Sequence, residues 1–190
     1  MKYLVFTLCF VGVLISCACQ RPNYKEATKI YYNALDTGNY NALKNVLHDS
    51  VTIISGDYIT PYDHNSFYEF FKWDSIFKSS YKIIALEEKN HVVIATVAQK
   101  NKRNAFLKNN PLKYKVEITF VNDKITTFSE LEYIGVNWNN WNQEKDSLIN
   151  WIKINYPKLD GFVTDMTMAG AKNYIKAIDV YETYKKVEVE

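Results

Sequence analysis

From Tyr114 to Phe120 the chain alternates: Tyr114, Val116, Ile118 and Phe120 are apolar, with Lys115, Glu117 and Thr119 between them. A period of two marks a β-strand with one covered face. Such a strand needs neighbours for its backbone hydrogen bonds and an apolar body over its covered side. Asn122-Asp123 reads as a tight turn, after which Lys124 to Tyr133 pairs back as a hairpin. Upstream, Tyr81 to Glu87 and Val92 to Gln99 flank a turn at Lys89-Asn90, and Asn109-Asn110-Pro111 breaks the chain before the alternating strand. Another strand is predicted at Val51 to Ser55, entered through a turn at His48-Asp49-Ser50.

The body that covers this sheet has to be helical. Pro22 suits a first turn, and Ala27, Ile30, Tyr31, Ala34 and Leu35 recur at helical spacing before Gly38, a C-cap. Asn39 caps a shorter helix through Leu47, with Leu43, Val46 and Leu47 on one face. Pro61 breaks the chain, and Asp63 caps a third helix carrying Phe67, Phe70, Phe71, Trp73 and Phe77. Two more helices close the chain. Trp141, Leu148, Ile149 and Ile152 lie along one that Pro157 stops; Thr167 caps another carrying Ala171, Tyr174, Ile175, Ile178 and Tyr181.

Composition sets limits on function. At 190 residues the chain fits one domain with a real core. The formal charge of +2 gives no reason to invoke nucleic acid. The run Lys100-Asn101-Lys102-Arg103 reads as a solvated hairpin tip. Aromatic residues make up 15%, enough to wall a pocket that is apolar yet carries hydroxyls.

Lys2 and the uncharged apolar stretch Tyr3 to Ile15 have the form of a signal segment, too short for a spanning helix of roughly 20 residues. Leu14-Ile15-Ser16-Cys17 resembles the lipobox of bacterial lipoproteins, with Cys19 as the poorer alternative site. That resemblance implies removal of residues 1–16 and acylation of Cys17 with fatty chains such as palmitate. Residues 17–22 become a short tether to a membrane of the bacterial envelope, and Ala18 in place of an Asp favours the outer one. Cys9, Cys17 and Cys19 are the only cysteines, so the mature domain has no disulfide of its own and no thiolate metal site.

Three helices, a strand between the second and third, then antiparallel strands is an order similar to that of the nuclear-transport-factor-2-like (SnoaL-like) fold. The segments Tyr32 to Leu43, Val46 to Ile53 and Phe120 to Ile125 resemble that family's opening helices, first strand and last hairpin. The resemblance implies an α+β domain over residues 23–135: a cone-shaped, curved antiparallel sheet of cystatin-like kind wrapped around the N-terminal helices, with a pocket at its wide end. Residues 136–190 are then a C-terminal helical extension packed on the same domain, and a homodimer through the sheet is implied as a partner arrangement.

Family enzymes use an acid, a His or a Tyr inside the cone. The candidates here are Asp49, Glu117 and Glu130 for chemistry, and Tyr58, Tyr62 and His64 for ligand binding. Glu117 and Glu130 face away from the apolar rows of their strands, which leaves each either a pocket acid or, by default, a solvent-facing partner of Lys115 or Lys124; His48 and His91 read as exposed. With no His-x-x-x-His, Gly-rich phosphate loop or nucleophile elbow, no metal and no cofactor are expected. The leading expectation is a non-catalytic, membrane-anchored pocket for a small apolar ligand or a partner. The alternatives are an isomerase- or hydrolase-type enzyme with a buried carboxylate, and an interaction subunit with a filled cone.

Overall fold

The computed structural model describes residues 23–187; the expected signal segment, Cys17, Cys19 and Pro22 lie outside them. Helix α1 (Tyr24–Thr37) begins where the Asn23 side chain accepts from the Glu26 N–H and ends at Gly38. Gly38 has φ 68°, a left-handed geometry that an L side chain adopts at a cost. Asn39 repeats the capping device for α2 (Tyr40–Val46). The chain then enters β1 (Leu47–Ser55), so the segment predicted as a turn, His48-Asp49-Ser50, is the start of the strand itself.

Pro61 does not end the regular structure either. It sits in β2 (Tyr58–Asp63), which lies at the sheet edge, where the missing N–H leaves no ladder position unpaired. A capping box between Asp63 and Ser66 starts α3 (His64–Ile76). Strands β3 (Ser80–Lys89) and β4 (Val92–Lys100) follow, then a short unanticipated helix α4 (Lys102–Phe106). Next come β5 (Leu112–Val121) and β6 (Lys124–Ile134), turning through left-handed Asn122 and Asp123. The chain closes with α5 (Trp138–Asn155), a 3-10 turn at Pro157–Leu159, and α6 (Met168–Val187).

The fold is α+β, with one curved six-stranded sheet in the order β2-β1-β6-β5-β4-β3. Four of its junctions are antiparallel, but β1 and β6 run parallel. The chain between them includes α3 and four strands, long enough for a crossover where a hairpin would have imposed the opposite direction.

Two cores share one helix. The first lies between the sheet and α1–α3 and includes Tyr31, Leu43, Phe67, Val93, Ile118 and Ile125. The second lies under α5 and α6 and includes Trp73, Phe77, Phe106, Leu148, Ile152 and Ile178. Helix α3 enters both, because its rings recur at three and four residues on a broad face and Phe70 packs against each core. Full burial of one such side chain stabilises by roughly 1.5–3 kcal/mol.

Candidate functional site

Between the concave face of the sheet and helices α1 and α3 lies a cavity of about 390 Å³. That is within the size range of small-molecule sites, roughly 300–1,000 Å³. Tyr31, Tyr32, Phe70, Trp73, Tyr114 and Phe128 supply most of its ring surface. Met166, from the turn before α6, lines it too, so the C-terminal segment helps to build the site.

One polar cluster centres on Asp74, on α3, which is only 5% exposed. The Tyr81 hydroxyl donates to Asp74 Oδ2 at 2.7 Å, and the Ser79 hydroxyl donates to Oδ1 at 2.8 Å. Gln99 Nε2 donates to the Tyr81 oxygen at 2.9 Å and to Asp74 Oδ1 at 3.3 Å. Burial pushes the Asp74 carboxyl above its ordinary range, while the bonds from Tyr81 and Ser79 and the charge of Arg103 pull the other way. Burial and the neighbouring carboxylate raise the Tyr81 hydroxyl well above its usual value.

A second cluster joins Glu130, Tyr133 and Ser55. Tyr133 Oη donates to Glu130 Oε2 at 2.7 Å, and the Ser55 hydroxyl donates to the same oxygen. Glu130 reaches the cavity because β6 departs from strict alternation. Its pairing with β5 slips twice, so that Thr126 and Leu131 are extra residues in the ladder. Ile125, Phe128, Glu130 and Tyr133 therefore face the interior together, and Leu131 is 52% exposed. Simple alternation puts Glu130 on the side opposite Tyr133. The bulge at Leu131 is what makes them neighbours.

Arg103 is the third polar feature. Its guanidinium carbon lies 5.0 Å from the Trp73 ring centre, 5.5 Å from Phe77 and 5.9 Å from Trp141. The run Lys100-Asn101-Lys102-Arg103 is thus not a solvated hairpin tip. Asn101 is 6% exposed and caps α4 through the Asn104 N–H at 2.7 Å, which turns Arg103 toward the cavity.

Of the residues singled out from sequence, Glu130 and Tyr62 line the cavity. Glu117 is paired with Ile94 and Ser129 across the sheet, next to inward-facing Val116, and stands outside the cavity wall. Tyr58 is 79% exposed near the tip of the β1–β2 hairpin. His64 and Asp49 meet each other at 3.7 Å on the surface, away from the cavity. His91 packs edge-on against Tyr24.

Sequence reasoning passed over Asp74, Gln99 and Arg103. For Asp74 a signal existed: it falls at three and four residues from Phe70, Phe71 and Phe77, on the apolar face of α3. A carboxylate on such a face is either paired or functional.

No protein-family model and no curated protein matches the sequence. Among solved structures, a protein of Kribbella flavida is similar at 7% identity, covering 64% of this chain and 93% of its own, with a TM-score of 0.50. A nuclear-transport-factor-2-like protein of unknown function from Cytophaga hutchinsonii is 12% identical over 60% of this chain and 93% of its own, with a TM-score of 0.48. An epoxide hydrolase/cyclase-like enzyme of pyran-ring formation in salinomycin is 14% identical over 58% of this chain and 89% of its own, also with a TM-score of 0.48. Likeness at such identities is one of fold alone.

Proposed function

We propose that this chain is a lipid-anchored protein of the bacterial envelope whose cavity binds a small, largely apolar molecule. The observation that carries the reading is the cavity itself: ring-walled, about 390 Å³, with polar groups gathered at a few points. A cone filled by its own side chains would leave no such space, so the cavity supports binding over the filled-cone interaction reading. The anchor rests on Leu14-Ile15-Ser16-Cys17, and membrane fractionation of the C17S variant tests it.

Binding is tested by thermal unfolding of the purified protein against a library of metabolites and lipids. A ligand at about 100 times its Kd adds roughly 2.7 kcal/mol of stability. A library without a single stabilising compound sinks the proposal.

A second reading is favoured by one specific observation. Two carboxylate–tyrosine pairs, Asp74–Tyr81 and Glu130–Tyr133, line the same cavity. An acid made more basic by burial, in a cavity that also holds a second carboxylate, is an arrangement suited to proton transfer. Compounds that bind separate the two readings. Recovery of the compound unchanged supports binding alone, whereas conversion that disappears in E130Q supports chemistry.

A further inference from the structure

Arg103 is the only basic residue in the cavity wall among the described residues. Its side chain is charged at every accessible pH and half-buried, so its charge is partly withdrawn from water and calls for compensation. Three rings do part of this by meeting the guanidinium at 5.0, 5.5 and 5.9 Å. Aromatic faces attract the cation but offer no acceptor to its N–H groups. Nε is buried without a hydrogen-bond partner, and Arg103 forms no ion pair within the described residues.

The two acids of the cavity wall form no ion pair with Arg103 among the described residues, although its charge acts on the Asp74 carboxyl. Asp74 accepts from Tyr81, Ser79 and Gln99, and Glu130 accepts from Tyr133 and Ser55. A second orphan donor stands beside the first. Trp73 Nε1 is also buried without a partner, on the ring closest to the guanidinium. Beside its two carboxylate clusters, the cavity wall therefore carries one fixed positive charge, whose Nε, like the neighbouring Trp73 Nε1, lacks a hydrogen-bond partner.

We infer that the molecule bound in this cavity is a carboxylic acid with an apolar body, its carboxylate held by Arg103. This rests on the binding reading above and narrows it. A planar carboxylate matches the fork of a guanidinium, and stacking on three rings holds that fork before the ligand arrives. The rings around it accept either an aromatic or an aliphatic body.

The test uses two matched probe pairs, 2-naphthoate with 2-naphthamide and decanoate with decanamide, titrated calorimetrically into wild type, R103Q and R103K. In wild type each carboxylate is expected to bind about tenfold or more tightly than its amide. R103Q is expected to abolish that preference while leaving amide binding in place, and R103K to retain part of it through its charge. Amide binding also reports that the variants are folded. The stronger pair tells whether the body is aromatic or aliphatic. Equal affinity for acid and amide, or a preference that survives in R103Q, overturns the assignment of Arg103 and leaves the binding reading standing. If none of the four probes binds, this inference falls, and the binding reading then stands or falls on the library screen.

Discussion

Asp74 shows how a single residue can carry information that its neighbours disguise. It lies among Phe67, Phe70, Phe71, Trp73 and Phe77, and the spacing that makes this helix a core element also places the carboxyl inside. Its burial has a consequence for stability. A carboxyl raised by burial holds its proton more tightly in the folded state, so its contribution is full below the ordinary carboxylate range and is lost as pH climbs through the raised value. Replacing Asp74 with Asn removes that titration. The stability of wild type relative to D74N is therefore expected to be greatest near pH 4 and to fall toward pH 7. Urea unfolding across this range measures the difference, and a difference that does not vary with pH contradicts the assigned direction. Asp74 was legible in the sequence through its position on an apolar stripe. Glu130 was named from the sequence, but its direction was not readable, because it depends on pairing with β5.

At the scale of elements, short-range signals served the helices well. The caps at Asn39 and Asp63 and the left-handed stop at Gly38 all stand where the residue types placed them. Strands were less transparent. The bulges at Thr126 and Leu131 arise in the pairing of two strands, and neither residue type announces them. Helix α4 is the clearest case. Its apparent basic surface run contains Asn101, buried with its amide donating to Ser79 and its carbonyl oxygen accepting from the Asn104 N–H. Substituting Asn101 with Ala leaves that N–H without its cap and should cost about 1–2 kcal/mol. Chemical denaturation reads the cost directly; an unchanged midpoint and slope would show that the cap does not hold α4.

Seen whole, the molecule joins two apolar clusters through α3, and the C-terminal helices cover Trp73, Phe77, Phe106 and Leu107. The extension thereby shapes the cavity, since Met166 and the ring of Trp141 stand beside the residues that the sheet and α3 present. The same scale holds the proposed relation to the envelope. If Cys17 is acylated as proposed, a tether of about five residues reaches at most roughly 18 Å and holds the start of the domain close to the headgroups. Two or three acyl chains, at about 0.8 kcal/mol per buried CH₂, exceed what stable attachment requires. The C17S variant should accordingly move from the membrane fraction to the soluble one. A variant that stays with membranes after a salt wash shows attachment by other means.

Periodicity and capping are local properties, and they were enough to place the helices, most strands and the α+β class, because each depends on residues within one or two turns of one another. The parallel β1–β6 junction and the wall formed by Asp74, Glu130 and Arg103 are contacts between distant segments, and the bulges of β6 arise in pairing that one strand's periodicity does not show. Their geometry is set by which strand lies beside which and by what covers it. Only the assembled chain decides that.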